Sequence, residues 1–374
     1  MARTVAQIKE INPQLLLYSA YSRDIAHFIV FDKMVKQQVN VKSLIGGPGA
    51  TFDPQFLEGT TIDALCFGEG EQSVVDYINN GFSPIGNIVD VKSGKPAQFY
   101  PFLDLNQAPF PDRALVYDKD RLLRDMPSKQ FLSGRGCPYM CTYCHNNIQN
   151  RMFKQCGSII RKKSVDYVLE EIKQVKSRYP LKLVVFQDDT FIIDKKWFFE
   201  FCERFPREIG LPYTCNIRAG LIDEEKVRAL KQSHCACAYW SIESGNDFIR
   251  NKVLKRNESI EQILTTASLL GKYKISHRSG GIVGLPGETL EHMLQTLELN
   301  IKIKPNFGFS SIFVPYPGLE LTDYAIEKGF LSTKAADCLP QGTHVRSVLN
   351  FSHEENIRIQ KLTYLWPLFV SYPK

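Results

Sequence analysis

No stretch of this chain stays apolar for anything near the ~20 residues that a membrane span requires. The opening residues do not read as a secretory leader either, because Arg3, Lys9 and Glu10 stand where such a segment needs an apolar core. Both absences lead to the expectation of a cytoplasmic protein. An excess of one charge is also lacking: 46 Lys and Arg against 40 Asp and Glu leave +6 at pH 7, spread without a basic stripe. That balance gives neither nucleic acid nor a membrane surface a footing. Internal repeats and low-complexity tracts do not occur, which removes solenoids and disordered tails. What is left is the composition of a folded protein, 44% hydrophobic and 23% charged over 374 residues. That length suits two domains and leaves room for a third.

Cysteine is present in quantity, at ten residues. In a chain this long and without a leader, metal ligation is a better reading than a disulfide framework. Cys137, Cys141 and Cys144 fall within one loop, Cys137-Pro-Tyr-Met-Cys141-Thr-Tyr-Cys144, while Cys66, Cys156, Cys202, Cys215, Cys235, Cys237 and Cys338 are scattered and suit core packing. On a loop that also holds Gly134, Gly136 and Pro138, thiolates at this spacing can take three corners of a cubic iron–sulfur cluster. The fourth iron then stays open to another ligand. A structural zinc would want a fourth donor, which His145, adjacent to Cys144, is poorly placed to give. Three inert buried cysteines fit badly with so polar a loop.

From Lys129 onward, β-branched and aromatic runs alternate with amphipathic segments, the pattern of βα units around a parallel sheet. Six strands are expected, at Lys129–Ser133, Leu181–Gln187, Tyr213–Ile217, Ala236–Ile242, Ile275–Val283 and Gly308–Pro315. Val165, Val168, Leu169, Ile172 and Val175 recur at helical spacing behind Ser164, and Asp194, Asp223 and Thr289 read as further N-caps. Six such units make a partial (βα)6 barrel, whose site gathers at the C-terminal ends of the strands, where the cysteine loop lies. Cys235 and Cys237 share a strand face by the two-residue period, either as core packing or as a thiol inside the barrel able to quench a radical. Ahead of the barrel, strands at Leu15–Ser19, Ser43–Gly46 and Ala64–Gly68 alternate with helices at 26–38 and up to Asn79, which reads as a doubly wound α/β domain. The expected divisions are residues 1–80, a proline-rich linker 81–127 with a hairpin around Ile88–Val91, the barrel 128–330, and an extension 331–374 with a helix from His353 to about Leu368.

The run Cys137-x3-Cys141-x-Tyr143-Cys144 resembles the signature of the radical S-adenosylmethionine (SAM) superfamily. The resemblance implies a [4Fe–4S] cluster on Cys137, Cys141 and Cys144 whose open iron chelates SAM, an electron donor such as flavodoxin or ferredoxin, and reductive cleavage to a 5′-deoxyadenosyl radical. It also implies SAM contacts after successive strands. Asp188 and Asp189 in Gln187-Asp188-Asp189-Thr190-Phe191 would meet the amino end, against the alternative of a capped turn. Ser241 and Glu243 in Ser241-Ile242-Glu243-Ser244-Gly245-Asn246 resemble a ribose motif. Gly284 in Gly284-Leu285-Pro286-Gly287-Glu288-Thr289 resembles the loop beside adenine, with Tyr143 packed by that base. Arg218 and Arg256 could each meet the SAM carboxylate, or be simply solvated.

Residues 1–80 resemble the cobalamin-binding domain of one large class in that superfamily. Ser19, Gly46, Gly47, Thr51, Gly68 and Glu69 are the matching candidates, and paired glycines past a strand would let a bulky ligand approach the backbone. Two departures stand out. Gly49 occupies a place where many members carry His, and the order of elements leaves the class's central first strand without a counterpart. An α/β domain lacking its first strand, and a C-terminal extension cut short, are therefore expected. Function follows the class: a cobalamin-dependent methyltransferase on an unactivated carbon or phosphorus centre, in which methylcobalamin supplies the methyl group, with a small-molecule substrate that the sequence does not identify. The alternatives are an oxidoreductase or cyclase that transfers no methyl group, and a non-catalytic cobalamin-binding or scaffold protein. Methylthiotransferases carry a further cysteine trio ahead of the barrel, where this chain has only Cys66.

Overall fold

The computed structural model describes residues 1–96, 98–332 and 346–373; Cys338 lies outside the described residues. Two compact units form, one of Met1–Leu103 with Asn147–Ser158 and Tyr316–Thr322, the other of Asp104–Asn146, Ile159–Pro315 and Asp323–Lys374.

In the first unit, β1 (Leu15–Ser19), β2 (Lys42–Gly46), β3 (Ala64–Cys66) and β4 (Ile88–Asp90) make a sheet in that order. Strands β1 and β2 pair in parallel from Leu15↔Lys42 to Ser19↔Gly46. The two therefore satisfy each other's backbone groups, and the expected vacancy of a missing strand between them is overturned. The order also advances one strand at a time, so the described strands show no reversal of the doubly wound kind. Ile88–Asp90 is not a hairpin in a linker but an antiparallel edge strand on β3, with Ile88 and Val89 buried. The helix Ile25–Lys36 is pinned by fully buried Asp32, which accepts from Tyr18 Oη at 3.1 Å and from Thr61 Oγ1 at 2.6 Å, with Lys36 Nζ 3.4 Å away.

In the second unit, β5 (Ser128–Phe131), β6 (Leu183–Phe186), β7 (Tyr213–Asn216), β8 (Cys235–Glu243), β9 (Ser276–Val283) and β10 (Phe307–Ile312) are all parallel and adjacent in sequence order, the expected open six-stranded barrel sheet. The helix Val165–Arg178 begins where Ser164 accepts from Tyr167 N and buries Val165, Val168, Leu169, Ile172 and Val175. Asp194, Asp223 and Thr289 likewise cap Lys195–Glu208, Glu224–Gln232 and Leu290–Ile303. Between helices and sheet, Phe186, Phe191, Phe198, Phe201, Phe205 and Tyr213 are wholly buried. Each such ring contributes roughly 1.5–3 kcal/mol over an exposed one. The final helix His353–Ser371 covers β10 with Ile359, Leu362, Trp366 and Val370.

The strand-end glycines of the first unit serve its own packing. A Cβ on Gly49 would lie 2.5 Å from Ser22 N, and one on Gly47 (φ +92°) 2.8 Å from Ala20 N and O. The backbone of 20–22 already fills the space that a side chain at 49 would occupy, which is the physical reason for glycine there. Gly49→Ala should lower the stability of the chain by about 1–3 kcal/mol in urea unfolding, the cost of overpacking a closed site. An unchanged midpoint would show that the 20–22 segment yields freely.

Candidate active site

The loop that leaves β5 carries all three clustered cysteines to one wall of a cavity of about 410 Å³. Its other walls come from strand ends: Asp189 and Thr190 after β6, Asn216 and Arg218 at β7, Ser241 and Glu243 on β8. Burial pushes the Cys144 thiol up to about 12 and also raises Cys137, and the neighbouring cysteines raise both further, because adjacent thiolates repel. Positive charge among them would relieve that repulsion, which fits the donor set of an iron–sulfur cluster. Zinc fits less well, since it holds its sulfurs about 2.3 Å from one centre. Among the described residues no three His, Cys, Asp or Glu groups converge in that way.

Against the cysteine loop lies a buried ion network. Arg256 donates from Nε to Glu258 Oε2 at 2.6 Å, from Nη1 to Tyr143 Oη at 2.9 Å and from Nη2 to the Ser241 carbonyl at 2.7 Å. Glu243 accepts from Tyr143 Oη at 2.9 Å and Ser241 Oγ at 2.7 Å, and lies 3.4 Å from Arg256. Arg218 stacks 3.6 Å over the Tyr139 ring, points Nη1 at Cys141 Sγ at 3.8 Å, and bonds the Arg256 carbonyl and Glu258. Both arginines are thus buried and committed, not solvated. Glu243 has φ +58°, and Ser244 N bonds back to Ile242 O across it. A non-glycine residue in the left-handed region is costly unless its surroundings hold it, and here its carboxylate is held from two sides.

Several expected contacts fall elsewhere. Asp188 is buried away from the cavity, where it accepts from Ser133 N at 3.0 Å, Ser133 Oγ at 2.5 Å and Lys162 Nζ at 3.0 Å. Its carboxylate is spent on joining β5 to β6, and Asp189 is the acid of that pair that lines the site. Gly284 (φ +70°) makes a turn beside Ile312 and Ile359 and does not line the cavity. Cys235 and Cys237 do not share a face, because a β-bulge between them shifts the register against β7. Cys235 is buried in the helix-facing core, whereas Cys237 is half-buried on the other face. In the first unit, Ser19 stays exposed and Gly46, Glu69 half-buried at or beyond the carboxyl ends of strands. Thr51 is buried and accepts from Gly68 N at 3.0 Å, and Phe153 covers Gly68. Residues that the sequence reading missed include Glu258, whose signal was the Arg256-Asn-Glu258 spacing, and Asn216, Tyr239, Arg278 and Phe309 on strands whose inward parity could have flagged them.

Residues 131–299 match the family model of the radical SAM superfamily. The chain contains a radical SAM domain. An uncharacterized methyltransferase of Pyrococcus horikoshii is 27% identical over 95% of this chain and 78% of its own length. The radical SAM methyltransferase TsrM of Kitasatospora setae has a similar fold, with TM-score 0.69 at 15% identity, covering 87% of this chain and 67% of that one. The cobalamin-dependent radical SAM enzyme OxsB gives 0.65 at 14% identity, and this chain spans about half, 48%, of its length. The radical SAM domain implies a [4Fe–4S] cluster and SAM.

After β9, the Gly284–Glu288 turn is fastened by Glu288, which accepts from Leu285 N at 3.0 Å while buried enough that its carboxyl is pushed up to about 8. The folded chain keeps a proton that the unfolded chain releases at about 4.5. Its contribution is therefore fully present below pH 4.5, declines as pH rises and is lost above about 8. Relative to Glu288→Gln, wild type should lose stability steadily between pH 5 and 8 in urea unfolding. Parallel pH profiles for the two proteins would contradict this assignment.

Proposed function

We propose that this protein is a cobalamin-dependent radical SAM methyltransferase acting on an unactivated carbon or phosphorus centre of a small molecule. The observation that carries the reading is one cavity lined both by Cys137, Cys141 and Cys144 and by the Tyr143–Glu243–Arg256 network. When bound, cluster, SAM and corrinoid supply a 5′-deoxyadenosyl radical and a methyl group. Cys137, Cys141 and Cys144 hold the cluster. Asp189 accepts from the SAM ammonium. Glu243 accepts from the ribose hydroxyls, and the Ser241 hydroxyl accepts from or donates to them. Tyr143 stands beside the base. Arg218, with one guanidinium nitrogen on Cys141 and the rest on Glu258 and the Arg256 carbonyl, positions the cysteine loop and the carboxylate end of SAM. Arg256 fixes Tyr143 and Glu243 in turn. Stacked Tyr139 keeps water from the Arg218 face.

The corrinoid is assigned to the first unit at the carboxyl ends of β1 and β2, where Ser19 is exposed and Gly46 half-buried. Gly47, Thr51 and Gly68 shape that edge from within, and Glu69 follows β3. TsrM and OxsB are named as radical SAM enzymes, and OxsB as cobalamin-dependent, which supports the corrinoid. A one-electron donor is required, and a flavodoxin or ferredoxin is proposed. No helix among the described residues is long and apolar enough to cross a membrane, and a cytoplasmic location is part of the same reading.

Anaerobically reconstituted wild type should bind about four irons per chain, and Cys137→Ala, Cys141→Ala or Cys144→Ala should abolish SAM cleavage. Cys156→Ala should keep its iron. Glu243→Gln should hold normal iron while its SAM affinity falls about ten- to a hundredfold, the worth of a buried charged hydrogen bond. S-adenosylhomocysteine formed beside 5′-deoxyadenosine supports methyl transfer; 5′-deoxyadenosine alone favours the cyclase or oxidoreductase reading. Full cleavage activity in any of the three cysteine variants would refute the site.

A further inference from the structure

Three arginines line the cavity, and they are not equivalent. Arg218 and Arg256 share the buried carboxylate of Glu258, and Arg256 also meets Glu243. Arg278, on β9, has no carboxylate within ion-pair distance among the described residues. Its guanidinium instead lies 4.3 Å from the ring centroid of Phe309, 5.2 Å from that of Phe307 and 5.9 Å from that of Tyr239. Strand register explains the arrangement. Tyr239, Arg278 and Phe307 sit level on β8, β9 and β10. Two residues further along, Gly280 has no side chain, so the Phe309 ring folds across β9; a Cβ there would meet the ring at 2.4 Å. Aromatic faces hold the guanidinium in place without neutralising it, and they leave its planar N–H edge free for an oxyanion. Arg278 also lies one strand layer below Ser241 and Gly280 in the register, apart from the network proposed to hold SAM.

We propose that Arg278 is the anion-recognition residue of the substrate site, so that the molecule this enzyme acts on carries a carboxylate or phosphoryl group. The inference rests on the reading of the cavity as the SAM and substrate chamber. A guanidinium forks onto either oxyanion with two parallel N–H···O bonds. In a chamber whose other cations are already paired, that contact orients the substrate and rejects neutral analogues. Tyr239 and Phe309 act through Arg278 as positioning residues, by fixing the plane of its guanidinium.

The test uses the reconstituted chain saturated with SAM, and benzoate, phenylphosphonate and neutral benzamide as probes in ligand-observed NMR. Both anions should bind wild type, weaken about tenfold or more in Arg278→Gln, and recover only part of that loss in Arg278→Lys, which keeps the charge but not the planar fork. Benzamide should not distinguish the three proteins. The tighter of the two anions tells whether the natural group is a carboxylate or a phosphoryl. No binding of either anion to wild type, or equal binding to Arg278→Gln, would overturn the proposal. So would a parallel loss of SAM affinity in Arg278→Gln, which would give Arg278 to the SAM carboxylate. Failure of the SAM reading itself would show separately, as wild type that takes up neither iron nor SAM.

Discussion

Arg256 is the interaction on which the site depends. Its guanidinium is buried, and its partners come from three parts of the chain: Tyr143 on the cysteine loop, Ser241 and Glu243 at the end of β8, and Glu258 behind them. Glu258 passes the connection to Arg218 beyond β7, and Arg218 passes it to Cys141. A buried charge is tolerable only when paired and fully hydrogen-bonded, and removing one partner from such a pair costs about 3–5 kcal/mol. The network therefore over-determines where the loop sits. It also holds Glu243 in a backbone conformation that a carboxylate-bearing residue would otherwise leave.

The same economy of partners separates binding from positioning. Asp188 and Asp189 are neighbours in sequence, yet one is closed in by Ser133 and Lys162 while the other faces the cavity. Lys162 Nζ lies 4.4 Å from the Trp197 ring centroid and bonds the Phe191 carbonyl at 3.2 Å, so this cluster ties β5 and β6 to the aromatic core behind the sheet. The strands are thus fixed from behind by rings and a buried ion pair, and in front by the arginine network. Rigid strand ends leave the cysteine loop as the element that each end addresses.

Much of this was legible in the residues. β-Branched and aromatic runs marked all six barrel strands, helical spacing with Ser164, Asp194, Asp223 and Thr289 marked the helices, and the cysteine spacing marked the site. What escaped depended on partners far along the chain. Alternation along β8 failed at Cys235 and Cys237 because a bulge against β7 inserts a residue, and bulges leave no mark in the spacing of side chains. Asp188 and Asp189 are interchangeable as letters; only Ser133, 55 residues earlier, and Lys162 decide which is enclosed. The strand Ile88–Asp90 was hidden among prolines because a three-residue edge strand has too little periodicity to read. The supposed gap in the first sheet arose from assuming a reversed strand order, whereas β1 and β2 pair directly. The paired glycines 46 and 47, with Gly68, suggested room for a ligand at the strand ends, but Ala20 closes the space beside Gly47 and the Phe153 ring that beside Gly68.

The central claim is that Cys137, Cys141 and Cys144, held against the arginine network, would carry a [4Fe–4S] cluster able to bind SAM. Electron paramagnetic resonance of the reduced, reconstituted chain tests it most directly, with and without SAM. The account predicts a reduced-cluster signal that is altered by SAM in wild type, and that in Glu243→Gln needs a higher SAM concentration for the same alteration. A cluster signal indifferent to SAM, or one retained in Cys144→Ala, would contradict it.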